Sequence, residues 1–220
     1  MGLPLNSILR GDCIEVMRNL PASSVDFVLT DPPYLVNYLD RSGRRVANDA
    51  SDHWIVPAFE GIARVMKPDT FCVSFYGWSA VDRFFAAWRR AGLMPVGHLT
   101  FPKRYASATR MLRYQHEGAY LLAKGRPSRP DAPIGDVIPW EYTGNRLHPT
   151  QKPTSILTPL VRCFSPEGGL VLDPFAGSGS SLVAARMVGR SFLGIELDPA
   201  MHATATARLQ ARRTCVARSG

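Results

Sequence analysis

Several polar residues stand against apolar runs in places where packing alone would not put them. Residues 25–36 read VDFVLTDPPYLV, a strand-like run that ends in Asp31, Pro32, Pro33 and Tyr34. The two prolines fix the backbone and remove competing N–H donors, so the acid and the ring are offered to a ligand in a set geometry. Residues 171–199 read VLDPFAGSGSSLVAARMVGRSFLGIELDP, a strand, a glycine-rich turn, a helix and a second strand ending in Glu196. Gly177 and Gly179 let the backbone turn sharply against a ligand, and Glu196 stands where an acid can accept hydrogen bonds from ribose hydroxyls. The spacing is not GxGxxG, and a structural glycine turn or a dinucleotide fold leaves a similar mark. Asp173 before the turn suits a ligand with a positive group better than a pyrophosphate. S-adenosylmethionine carries such a group.

The elements that must position these residues are those of an α/β sheet covered on both faces, since apolar runs alternate with segments of helical period. VDFVLT, TFCVSFYG, GLVLD and SFLGIEL are the clearest strands. SAVDRFFAAWRRAG reads as a helix with a Ser79–Asp82 capping box, an inner face of Val81, Phe84, Phe85 and Trp88, and Gly92 at its C-terminal end. Asp12 and Glu15 open another helix, with Val16, Met17 and Leu20 inward. Phe59, Ile62, Ala63 and Met66 make a third inner face before Pro68. Residues 37–53 and 125–139 read as loops, the second holding Pro127, Pro130, Pro133 and Pro139.

A chain of 220 residues with 45% hydrophobic content can bury one full core, so a single domain over residues 1–220 is expected. The net charge of +8 suits a polyanionic partner, nucleic acid ahead of membrane. The first residues lack the pattern of a signal peptide, Asn6 breaks a myristoylation motif, and no stretch is long enough to span a bilayer. Cys13, Cys72, Cys163 and Cys215 are scattered without a CxxC pair, which suits reduced thiols and a cytoplasmic location. The histidines His53, His98, His116, His148 and His202 form no HExxH pattern, so no metal is expected.

DPPY, HPTQKP and DPFAGSGS, in that order along nearly the whole chain, resemble the motifs of the β group of amino-directed DNA methyltransferases. The resemblance implies a Rossmann-like methyltransferase fold, circularly permuted, with a mostly parallel sheet and helices on both faces. The implied cofactor is S-adenosyl-L-methionine. RGDCIEV extends the likeness, with Asp12 at the position that bonds the cofactor's adenine and Cys13 beside it; Asp12 also reads as a helix cap. By the same resemblance His148 and Lys152 of HPTQKP contact the cofactor, and Lys152 neutralises its methionine carboxylate. Asp31, Asp173, Phe175, Gly177, Gly179 and Glu196 complete the implied cofactor set.

An exocyclic amine on a base is a poor nucleophile, because its lone pair is delocalised into the ring. Asp31 can accept one amine hydrogen and the Pro32 carbonyl another, with Pro33 holding the turn and Tyr34 offering a stacking face. The base must leave the duplex first. The resemblance associates DPPY with adenine N6 and a leading serine with cytosine N4, so adenine is the expected target and N4-cytosine the alternative. Carbon-5 methylation is disfavoured, since it needs a thiolate nucleophile and no cysteine follows a proline. An RNA amino methyltransferase and an inactive DNA-binding relic are the remaining readings.

Double-stranded DNA is the expected partner. Arg41, Arg44 and Arg45 follow the DPPY turn, and a target-recognition region is expected over residues 103–147. From Lys103 to Arg129 the charged residues are basic, with Glu117 the lone acid. Arg104, Arg110, Arg113 and Tyr114 there supply phosphate anchors and groups able to read base edges. The short recognition region suits a homodimer on a palindromic site, and a nuclease, if one is paired with the enzyme, must be a separately encoded restriction endonuclease.

Overall fold

In chain order the elements are β1 (Ser7–Arg10), α1 (Cys13–Arg18), β2 (Val25–Thr30), α2 (Ile55–Val65), β3 (Met66–Phe75), α3 (Val81–Arg90), β4 (Leu93–Pro102), β5 (His116–Lys124), α4 (Thr154–Phe164), β6 (Leu170–Asp173), α5 (Ser180–Met187), β7 (Ser191–Glu196) and α6 (Pro199–Val216). The computed structural model describes residues 2–36, 49, 51–141 and 151–216, with side chains through 211. The strands form one sheet in the order β1-β7-β6-β2-β3-β5-β4. Neighbours from β1 to β3 pair in parallel, whereas β5 runs antiparallel to both β3 and β4. The fold is a Rossmann-like methyltransferase sheet.

Alternation along the strands sends neighbouring side chains to opposite faces, and both faces are buried. Val28, Cys72, Leu172 and Leu193 point into one core with α1, α2 and α3, where Phe59, Phe84 and Trp88 pack edge to face. Phe27, Leu29, Val171 and Phe192 point into the other, against α4, α5 and Leu209 of α6. The sheet is thus a rigid plate between two helical layers, and its strand ends are fixed by both cores.

Several local expectations change. Ser79 does not cap α3; it lies in a 3-10 turn, Trp78–Ala80, whose Ala80 N–H donates to the Gly77 carbonyl at 3.0 Å, and the helix begins at Val81 without a side-chain cap. Met66 is buried, but as the first residue of β3 rather than the last of a helix. Pro68 lies within β3, where the ladder to β2 shifts register and pairing to β5 has yet to begin at Thr70, so its missing N–H leaves no bond unmade. β5 occupies residues 116–124 inside the stretch expected to form the recognition region, because its apolar second half is needed between β3 and β4.

Candidate active site

The parallel strands put Gly11 and Asp12, Glu196, Asp173 and Asp31 at one edge of the sheet, at the carboxyl ends of β1, β7, β6 and β2. The strand after the glycine turn runs outward from β6 to β7, while β2 leads the other way to β3. The crevice between β6 and β2 is therefore the switch point where α/β sheets bind ligands. Asp31 and the glycine turn, far apart in sequence, flank that crevice.

The DPPY turn is locked by its neighbours. Pro32 is buried, and Leu35 takes a left-handed φ of 59° just after Tyr34. Gly77, at the end of β3, backs directly onto the Tyr34 carbonyl: a Cβ there would fall far inside contact distance of that oxygen. Only a glycine allows this approach, so β3 acts as the backstop of the turn.

Around Asp31 lies a chain of alternating charges. Lys152 Nζ donates to Asp31 Oδ2 at 2.6 Å, and Tyr34 Oη donates to Asp31 Oδ1 at 2.8 Å. Lys152 also lies 3.1 Å from Tyr34 Oη and 3.3 Å from Glu117 Oε2. Lys103 closes the chain at 2.6 Å from Glu117 Oε1, with a second bond to Ser107 Oγ at 3.0 Å. Aromatic faces line it: Lys152 lies 4.8 Å from the centroid of Phe75, and Lys103 4.6 Å from that of Trp140.

Burial works against the Lys152 charge, but the carboxylates of Asp31 and Glu117 outweigh it and hold its pKa above the ordinary lysine value. Burial likewise opposes the Glu117 charge, and Lys152 and Lys103 overcome it, leaving that pKa below the usual carboxylate value. The Tyr34 hydroxyl is pushed well up by burial and by the two carboxylates, so it remains a donor. Asp31 thus accepts two bonds from the protein and keeps lone pairs for a ligand donor.

Lys152, expected to meet the cofactor's methionine carboxylate, bonds Asp31 Oδ2 and Tyr34 Oη and lies 3.3 Å from Glu117 Oε2. Glu117 and Lys103 are missing from the sequence reading of the site. The signal for Glu117 was present, as the lone acid in a basic stretch, and an ion buried there needs a partner.

On the β6 side, Glu196 Oε2 accepts the Gly177 N–H at 2.7 Å and Oε1 the Asp198 N–H at 2.7 Å, tying the glycine turn to the end of β7. Asp173 is buried and accepts from Phe175 N at 3.0 Å and from the Ser181 hydroxyl. Burial raises its pKa to about 7 despite those bonds. Asp12 caps α1, accepting from Ile14 N at 2.7 Å. Cys13 is buried in the core, with its thiol pushed up to about 12 by burial first and by Asp12 second, so it is no nucleophile.

These residues fit a cofactor in the crevice. The Gly177 Cβ position faces open space at a φ of 50°, and the Gln151 side-chain oxygen, next to Lys152, is buried with no hydrogen-bond partner among the described residues. Phe175 packs edge-on to the buried Trp54, with centroids 5.2 Å apart. No cluster of His, Cys, Asp and Glu able to hold a metal occurs among the described residues.

Arg104, Arg110 and Arg113 are exposed on a hairpin over residues 103–115, and Tyr114 stacks on Trp78 at 6.0 Å and 23°. Lys124, by contrast, is turned inward onto the Ala63 and Met66 carbonyls. Arg41, Arg44, Arg45 and His148 lie outside the described residues. No helix among the described residues is long and apolar enough to cross a membrane.

An acid behind two prolines, facing a glycine turn across the β6–β2 crevice, defines a group-transfer site of the methyltransferase kind. The chain matches the DNA methylase family over residues 25–207, and it belongs to that N6/N4 family. It is 51% identical over 207 residues to "Putative methylase YubD" of Escherichia coli (strain K12), covering 94% of this chain and 91% of that one. Among solved structures, M1.HpyAVI in a SAM complex superposes with a TM-score of 0.74 at 20% identity, covering 92% of this chain and 98% of that one. The cytosine-N4-specific PvuII DNA methyltransferase superposes with a TM-score of 0.75 at 16% identity, over 92% and 85% of the two chains.

Proposed function

We propose that this chain transfers a methyl group to the exocyclic N6 of an adenine turned out of duplex DNA. The observation that carries the reading is Asp31, held by Tyr34 and Lys152 at the mouth of the crevice opposite the glycine turn. The cofactor is S-adenosyl-L-methionine, which supplies an electrophilic sulfonium methyl when bound. Asp12, Phe175, Gly177, Gly179 and Glu196 would hold it, with Asp173 beneath the turn. The order of the two halves along the chain, with DPPY ahead of the glycine turn, is that of a circularly permuted methyltransferase.

The protein's own contribution is orientation. Asp31 and the Pro32 carbonyl accept the two amine hydrogens, which draws the nitrogen lone pair out of the ring and toward the crevice. Lys152 keeps Asp31 in place, and the closed ring of Lys152, Glu117 and Tyr34 donors and acceptors spares the pocket an unpaired buried charge. Arg104, Arg110 and Arg113 take phosphates, joined by Arg41, Arg44 and Arg45. Within residues 103–147 recognition falls to the parts outside β5.

N4-cytosine methylation is the second reading, supported by the fold shared with a cytosine-N4-specific enzyme. The leading Asp31, where a serine would mark the cytosine group, favours adenine. Expression in a host without adenine or cytosine amino methylation, followed by nucleoside mass spectrometry of its DNA, separates the two. N6-methyladenine is the expected product; N4-methylcytosine in its place overturns the base assignment.

A further inference from the structure

Exposed apolar side chains on this protein mostly stand singly, as on any soluble surface. Met111 and Leu112 are adjacent, and 96% and 70% exposed. They crown the hairpin over residues 103–115, which is held by backbone bonds: Ser107 N to Tyr114 O at 2.8 Å, Tyr114 N to Ala108 O at 3.0 Å, Arg110 N to Leu112 O at 3.1 Å and Lys103 N to Gln115 O at 2.6 Å. The exposed pair is therefore presented by an ordered turn. Arg110 and Arg113 flank it, and no acid occurs in the hairpin.

Both roots of the hairpin reach the catalytic pocket. Lys103 bonds Glu117, which lies against Tyr34 and Lys152. Tyr114 stacks on Trp78, and Trp78 follows Gly77, the backstop of the DPPY turn. The apolar tip is thus tied to the rim of the pocket that holds Asp31.

An uncharged wedge framed by two cations suits a nucleic-acid duplex, whose phosphates pair with the arginines while the base stack receives the apolar side chains. A second copy of the chain suits it poorly, since twofold contact through the tip brings the arginines of both copies together. On the reading of the chain as a DNA amino methyltransferase, we infer that Met111 and Leu112 form a wedge that enters the base stack beside the target and fills the space the flipped base leaves. Their role is to favour the flipped state, and the phosphate contacts are made by other residues.

The test is the double variant Met111→Ser/Leu112→Ser, which retains every arginine and alters only exposed positions. Single-turnover methylation is measured on short duplexes carrying a site mapped from methylated plasmid DNA, with the target base either paired or opposite an abasic position. Opening a paired base costs a few kcal/mol, so the variant should be slower by about tenfold or more on the paired duplex. On the abasic duplex it should stay within about threefold of the wild type, because the target base has no pairing left to break and flips at lower cost. The salt slope of DNA binding should not change. Equal losses on both duplexes, no loss on either, or dissolution of a wild-type dimer in sedimentation would each overturn the wedge. Failure of the wild type to methylate DNA at all would instead overturn the methyltransferase reading, and this shows before any variant is made.

Discussion

Replacing Glu117 with glutamine should unbalance the buried charge chain while leaving the Asp31–Lys152 contact in place. Lys103 and Glu117 meet at 2.6 Å with side chains only 6% and 22% exposed, so the change strands a buried ammonium. Removing one partner of such a pair costs about 3 kcal/mol, which for a domain of this size is a fall in Tm of roughly 6–12 °C. Adding Lys103→Met to Glu117→Gln should restore most of that loss, since neither charge is then left alone. The pH dependence follows from the two shifts. Glu117 has a lowered folded pKa, so its contribution is present above the ordinary 4.5 and lost as pH falls through the folded value. Lys152 has a raised one, so its contribution is complete below 10.5 and lost as pH rises through the folded value. The gap between wild type and Glu117→Gln should therefore be widest near neutrality and close in acid, and the alkaline loss of the variant should begin at lower pH. Thermal melts across pH read all of this. A single variant as stable as the wild type at pH 7, or a double variant no better than the single, would refute the charge-chain account.

Gly77→Ala should displace the DPPY turn, because the added Cβ collides with the Tyr34 carbonyl, costing about 1–3 kcal/mol of stability and reducing turnover more than cofactor affinity; melts and calorimetry measure both. Neutralising Arg110 and Arg113 should weaken DNA binding and flatten its salt dependence by roughly one unit of slope per lost phosphate contact, as read by fluorescence anisotropy. Asp173 binds its proton more tightly when folded, so it lowers stability as pH rises from about 4 toward its folded value of about 7. Asp173→Asn should accordingly raise the Tm of the cofactor-free protein more at pH 8 than at pH 5, within an upper bound of about 4 kcal/mol.

The strands that carry the site were legible because their signals are local: an apolar run followed at once by an acid, a proline or a glycine. β1, β4 and β5 were not. β4 is an edge strand interrupted by Pro95, Gly97 and Pro102, and β5 begins with His116 and Glu117, so both resemble loop in a window of composition. Asp12 as a cap was readable from its place before an apolar helix, whereas Ser79 misled because the chain winds into a 3-10 turn ahead of α3, which places Ser79 inside that turn and not at the helix N-cap. The pairing of Lys152 with Asp31 spans 121 positions and has no periodic signature; only the fold brings HPTQKP to DPPY. Glu117 shows that a lone acid among bases can be a buried counter-charge, a reading that composition alone turns into surface.

Methylation of DNA by the pocket around Asp31 can be put to a single labelling experiment. Transfer of labelled methyl from S-adenosylmethionine to duplex DNA, RNA and protein, with wild type and Asp31→Ala side by side, tests it most directly. Label is expected in duplex DNA alone, with transfer reduced by about a thousandfold or more in the variant and cofactor binding largely retained. Label in RNA or protein instead of DNA, or near-normal transfer by Asp31→Ala, would contradict it.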